Sequence, residues 1–534
     1  MQSPYYISLS GKYGSPVTDY LTLSDVLQDM DRLGIWQTTA TCLRGNTLIS
    51  NRDLLRDIEE TPGAKGRVIP AFYAEPYIFV SNGELEHLVQ AFRDYSPACL
   101  RINPKTSQYR LREMERVLEA LEEFAPVVLV EKEELVDPYD LDDMIYLAQR
   151  FPKMKFVIQR VIWGFMHWVF DAMLRCENIY MDTSWLHFEG GHVTMCKHFG
   201  PERLIFSLGQ PAICGAAIGG LCYAEIPQEQ KDAIASDNFI ALFQKEEDRE
   251  YLRANRRSIE NHVGNSYWND FLAQKPPRSL VIDAHAHITP HTSQWLSPTN
   301  DIVEQRDTLL HNMERLGIQT TFVSNTHRLQ FDALKPNADL LRITEGYTDK
   351  IRGYLCFIAN RPEGYTDEYL DKMFATGFFV GFKSLPDYNK VCLMDERYDV
   401  MFDYANRHSL PILLHAWESP LCNVDMIAQR AAQYPNTRII IGHSSGNDIG
   451  RRNCEKIAQD PRYDNVYFEF CGTFKQTIRW PESLQKIDYH RFIFGTDTHC
   501  HDAAWEMARL LSEEIPDEQL KEILGGNAVR VLEL

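Results

Sequence analysis

Two α/β barrels in tandem are what this sequence predicts, each a ring of parallel strands alternating with helices. Three observations predict them. The chain repeats itself: Met30-Asp-Arg-Leu-Gly-Ile35-Trp-Gln-Thr-Thr39 is answered by Met313-Glu-Arg-Leu-Gly-Ile318-Gln-Thr-Thr321, Ala224-Glu-Ile-Pro-Gln-Glu-Gln230 by Glu513-Glu-Ile-Pro-Asp-Glu-Gln519, and Asn238 by Asn527. Repeats of about 20–50 residues signal a solenoid; an offset as long as this one signals two copies of a whole domain. Short, nearly continuous apolar runs alternate with helical patterns, the signature of buried parallel strands in βα units. Finally, the second half holds eight such runs, and eight units in about 250 residues are the count and size of a TIM-type (β/α)8 barrel.

The eight runs are Leu280–Ala284, Thr320–Ser324, Gly353–Ile358, Phe379–Lys383, Pro411–His415, Arg438–His443, Val466–Phe470 and Phe492–Asp497. After the last, Ile515-Pro516-Asp517 opens a helix and Gly525-Gly526 closes it. The first half carries a weaker series that includes Tyr6–Leu9, Arg67–Ala71, Ala98–Ile102, Pro126–Val130, Lys155–Ile158, Asn178–Met181 and Leu204–Ser207. Between the halves, Lys245-Glu-Glu-Asp-Arg-Glu250 and Arg253–Arg257 read as a solvated helix, and Lys275-Pro-Pro277 as a hinge. The expected domains are therefore 1–245, a charged helical linker over 246–279, and 280–534.

A net charge of -20 argues against a nucleic-acid partner, which requires a basic face. No apolar run approaches the roughly 18 residues that span a bilayer, and the first residues do not read as a signal peptide. The 12 cysteines show no paired zinc spacing, and several sit in apolar runs as small hydrophobes. A reducing, cytoplasmic setting is expected.

Chemistry concentrates in the second half. His285 and His287 form a His-x-His pair whose side chains share one face. His415 closes the fifth run, His443 the sixth and Asp497 the eighth. Strand C-terminal ends converge on one mouth of a barrel, where active sites sit, so five ligand-type residues at such ends predict one metal centre. Lys383 ends the fourth run, and Trp417, two residues past His415, is placed to wall the pocket. Lower-ranked neighbours are His327, Asn360, Glu469, Cys471, His499 and His501. No nucleophile elbow, phosphate loop or dinucleotide fingerprint competes.

Asp283-Ala-His285-Ala-His287, Leu414-His415, Ile441-Gly-His443 and Gly495-Thr-Asp497 together resemble the amidohydrolase superfamily, in particular the amidohydrolase-related subgroup that includes aminocarboxymuconate-semialdehyde decarboxylase. The resemblance implies that His285, His287, His415 and Asp497 hold one Zn²⁺ or another divalent ion, such as manganese, iron or nickel. His443 would be the general base or the group that stabilises the developing anion, and Asp497 would either shuttle the proton or merely support the site. Lys383 has three readings: an ammonium that meets a substrate carboxylate, a carboxylated lysine bridging two metals as in binuclear members, or an ordinary solvated lysine. The implied reaction is hydrolysis of an amide, ester or lactone bond of a small, carboxylate-bearing substrate, with decarboxylation of an unsaturated or aromatic acid as the alternative. A non-catalytic, ligand-binding role is the third reading.

Position against position, the first half carries Ser10, Lys12, Val130, Arg160 and Gly209 where the second has His285, His287, His415, His443 and Asp497, and Arg101 where it has Lys383. Val and Gly cannot coordinate a cation and the basic residues repel one, so the first barrel is expected to hold no metal. Its role is either that of a redundant copy or that of a cationic mouth for an anionic ligand. Because members of the subgroup pair, some sharing an Arg across the interface, the two barrels are expected to pair within the chain, and a homo-oligomer stays open.

Overall fold

The computed structural model of the chain describes residues 9–10, 12–13, 20–81, 83–135, 138–162, 166–254, 263–290, 299–327, 331–472 and 477–534. It divides into two units, Met1–Val263 and Gly264–Leu534. Each is built on an eight-stranded parallel sheet whose strands follow one another in chain order.

In the first unit β1 (Leu9–Ser10) and β2 (Lys12–Tyr13) precede β3 (Thr38–Cys42), β4 (Val68–Tyr73), β5 (Cys99–Arg101), β6 (Val127–Glu131), β7 (Lys155–Gln159), β8 (Ile179–Asp182), β9 (Leu204–Ile205) and β10 (Ser207–Gly209). The ring closes where β1 pairs with β10. Of the expected first run, Tyr6–Ser8 lies outside the described residues.

In the second unit the strands are β11 (Ile282–His287), β12 (Thr320–Ser324), β13 (Ile351–Phe357), β14 (Phe379–Ser384), β15 (Pro411–His415), β16 (Arg438–Gly442), β17 (Val466–Glu469) and β18 (Phe492–Ile493). Its ring closes through Ala284 N–H to Phe494 O (3.0 Å), Asp497 N–H to His285 O (2.7 Å) and a bridge between Ala286 and Thr498. β14 and β15 are buried along their whole length, as strands covered on both faces must be. Ile282, Phe322, Leu413, Ile440 and Ile493 form one apolar cluster with Ala528 and Val531 of the last helix.

The repeated motifs have matching local structures. Helices Leu23–Leu33 and Ile302–Leu316 end on Gly34 (φ 77°) and Gly317 (φ 68°), left-handed caps that release the chain into β3 and β12. Asn238 donates from Nδ2 to Pro201 O and Leu204 O, and Asn527 donates likewise to Tyr489 O and Phe492 O. Each asparagine thus ties the closing helix to the last strand of its own ring.

Between the barrels, Glu246–Ala254 is a helix without buried residues, and 255–262 lie outside the described residues. Helix Ser266–Leu272 falls within the second unit, its Trp268 buried and the preceding Asn265 bonded to Leu511 O and Glu513 O.

Candidate metal centre

The second ring gathers the five expected residues at its C-terminal mouth. His285 and His287 lie inside β11 rather than just past a strand as expected, because the ladder with β12 runs on to His287. His415 is the last residue of β15, His443 follows β16, and Asp497 lies in the closing loop after β18. All five are buried. His443 and Asp497 take left-handed backbone angles (φ 60° and 57°), as do Ser444 and Ser445. Non-glycine residues held there cost about 1–3 kcal/mol each and cluster at functional sites.

His287 Nε2 is 3.0 Å and His285 Nε2 3.7 Å from Asp497 Oδ1. These three residues form one grouping able to hold an ion, with ligand atoms within 4.8 Å of one another. His415 joins the cluster through His443, its Nδ1 lying 3.0 Å from His443 Nε2. His443 Nδ1 donates to Cys471 O (2.9 Å). His415 Nε2 is buried without a hydrogen-bond partner. The nitrogen and carboxylate donors of His285, His287 and Asp497 suit a divalent cation, and His415 stands outside that grouping.

Burial, with Lys383 next, drives the His285 pKa down to about 3; burial also lowers His287 and takes His415 well below its ordinary value. Neutral imidazoles are what a metal requires of its ligands. Burial pushes the Asp497 carboxyl upward, but the hydrogen bond from His287, foremost among the opposing influences, helps hold the group well below the carboxylate range.

Lys383 is fully buried, which rules out the solvated reading. Its Nζ lies 2.6 Å from His285 Nε2, inside the ligand cluster, and burial lowers its pKa. Half-buried Trp417 stacks on His443 at 5.6 Å. Glu469, only a minor candidate from sequence, accepts from His285 Nδ1 at 2.8 Å. Ser324 Oγ, 2.9 Å from His287 Nδ1, and Tyr388, edge-on to His415 at 5.3 Å, escaped notice. Ser324 stands level with His287 in the ladder, a signal available once the register is known; Tyr388, in the short helix Pro386–Asn389, carries none. His501 reaches Asp497 Oδ2 only at 3.7 Å and bonds Glu506 through Nδ1, and His499 Nε2 meets Gln305 O. His327 is half-buried beyond β12.

The first ring corrects the expected alignment at one place. Lys383 pairs with Leu413 and Arg101 with Leu129, so Glu131, not Val130, stands level with His415. Nor is the mouth simply cationic. Arg101 is buried and donates to Glu131, Gln159 and Asn103, and Arg160 lies 3.9 Å from Glu131. Glu131 offers a ligand oxygen, but a guanidinium already holds it. Lys12 lies in β2. Among the described residues, both groupings able to hold an ion lie in the second unit.

The amidohydrolase family model matches residues 282–534, the span of the second ring from the first residue of β11 onward. Over that span the second barrel is similar to the amidohydrolase family. No curated protein sequence matches the chain. Among solved structures, the chain is similar to 2,6-dihydroxybenzoate decarboxylase from Rhizobium (18% identity, 48% of this chain and 99% of that one, TM-score 0.38). It is also similar to an uncharacterised TIM-barrel protein from Bordetella bronchiseptica (14%, 47% and 98%, 0.38). A third is 5-carboxyvanillate decarboxylase from Novosphingobium aromaticivorans, solved with manganese and 4-hydroxy-3-methoxy-5-nitrobenzoic acid (14%, 48% and 97%, 0.37). No helix of the described residues is long and apolar enough to cross a membrane.

Proposed function

We propose that the second barrel is a metal-dependent hydrolase acting on an amide, ester or lactone bond of a small, carboxylate-bearing substrate in the cytoplasm. The observation that carries this reading is the convergence of His285, His287, His415, His443 and Asp497 on one buried mouth, with His415 Nε2 left without a hydrogen-bond partner. His285, His287, His415 and Asp497 hold the ion, for which zinc is the first expectation and manganese the next. When bound, the ion polarises a substrate carbonyl and makes water a nucleophile near neutral pH.

The remaining work falls to side chains. Asp497, ionised in its buried setting, is placed to accept a proton from the attacking water. His443, fixed by its Nδ1 bond to Cys471 O, takes up or returns a proton at Nε2. Lys383 meets the substrate carboxylate from within the cluster, and Trp417 forms one wall. The first barrel is a degenerate copy that holds no ion. Decarboxylation of an unsaturated or aromatic acid is the second reading. Tyr388 and Trp417, 5.3 and 5.8 Å from the His415 ring, favour it by flanking that imidazole as aromatic walls for a planar acid.

The test is a turnover screen of the Zn²⁺- and Mn²⁺-loaded chain against lactones, esters, amides and aromatic acids. Hydrolysis abolished by His443→Ala is the expected result. Release of CO2 without hydrolysis transfers the assignment to decarboxylation, and a metal-loaded chain inert to the whole panel contradicts both.

A further inference from the structure

We infer that Glu469 is the positioning residue of the metal centre, a clamp that sets the tautomer and aim of His285 while bracing the strained backbone at His443. The inference rests on the metal reading above. Glu469 ends β17 and is fully buried. Its Oε2 accepts from His285 Nδ1 at 2.8 Å and from the His443 backbone N–H at 3.3 Å, and its Oε1 accepts from Cys471 N–H. With Nδ1 donating to a carboxylate, the His285 lone pair lies on Nε2, the atom turned toward Asp497 and Lys383. A carboxylate behind a metal-bound histidine fixes ring orientation and raises ligand basicity.

The first barrel separates the two tasks. Glu469 pairs with Ile493 and Asp182 with Ile205, so Asp182 holds the same register in its own ring. Asp182 Oδ1 accepts from the Arg160 backbone N–H at 3.0 Å, as Glu469 accepts from that of His443. Arg160 and His443 share the left-handed backbone, φ 56° and 60°. The bracing of that backbone is therefore common to both barrels. The imidazole contact belongs to the second alone, where the acid is one methylene longer and a histidine stands in place of Ser10.

His285, His443, Glu469 and Cys471 also form a grouping that could be taken for a second cation site. The hydrogen bonds argue against it. His285 Nδ1 is committed to Glu469 and His443 Nδ1 to Cys471 O, so neither offers a lone pair in that direction.

Zn²⁺ affinity of the full chain, measured by competition with a chromophoric chelator after the metal is stripped, tests the clamp in Glu469→Asp and Glu469→Gln. The Asp variant keeps the brace found in the first barrel but cannot reach His285. It is expected to bind Zn²⁺ about 10–100-fold more weakly while its metal-free form melts as the wild type does. Gln keeps length and acceptor without charge and is expected to fall between the two. Wild-type affinity in a folded Asp variant overturns the clamp; if Asp fails to fold, wild-type affinity in Gln does so. Two bound equivalents in the wild type, dropping to one in either variant, would make Glu469 a ligand and overturn it as well. A wild-type chain that binds no Zn²⁺ is a separate outcome and defeats the metal reading itself.

Discussion

His285 has both ring nitrogens engaged, Nδ1 by Glu469 and Nε2 by Lys383, and is fully buried with its pKa near 3. The native state therefore resists protonating it, whereas the unfolded chain protonates it below about 6.5. Its contribution to stability is complete above that value and is lost progressively as pH falls from about 6.5 toward 3. Urea denaturation of the metal-free chain is expected to show that His285→Gln loses about 1–2 kcal/mol less than the wild type between pH 7 and 5; equal losses would contradict a neutral buried His285. The ligand-type residues were legible in the sequence because each stands at the end of an apolar run. The bond between His285 and Glu469 was not, since it joins residues 184 positions apart whose meeting depends on how the ring closes.

At the scale of elements, the turn His443–Ser445 after β16 holds three left-handed residues, and Gly446 (φ 81°) completes it. A Cβ on Gly446 would come within 1.9 Å of the Trp417 ring. Gly446→Ala is therefore expected to displace Trp417 from His443 and to destabilise the second barrel by about 1–3 kcal/mol. Tryptophan fluorescence and the urea midpoint check this, and an unchanged midpoint would show that the turn is not held against Trp417. The strands themselves were readable, because parallel strands buried on both faces leave unbroken apolar runs. Their register was not. Val127–Val130 is apolar throughout, so its alignment could slip by one residue, and only the ladders show that Glu131 faces the level of His415. The same one-residue shift changes the first mouth from a cationic pocket to a matched Arg101–Glu131 pair.

Across the whole molecule, two rings of the same strand order carry opposite chemistry at equivalent registers. In one, Arg101 donates to Glu131 and a carboxylate braces the Arg160 backbone; in the other, histidines and Asp497 gather, with His415 Nε2 left without a partner. The long-range repeat made this comparison possible from sequence, whereas the pairing that silences the first mouth required the fold. If the first ring is internally satisfied and the second is the metal centre, ion binding is a property of one half only. The most direct measurement is metal content by mass spectrometry of the full chain purified without chelator, beside its His285→Ala/His287→Ala variant. One divalent equivalent per wild-type chain and none in the folded variant are expected. A wild-type chain without metal, or a double variant that retains its full equivalent, would contradict the assignment of the centre to the second barrel.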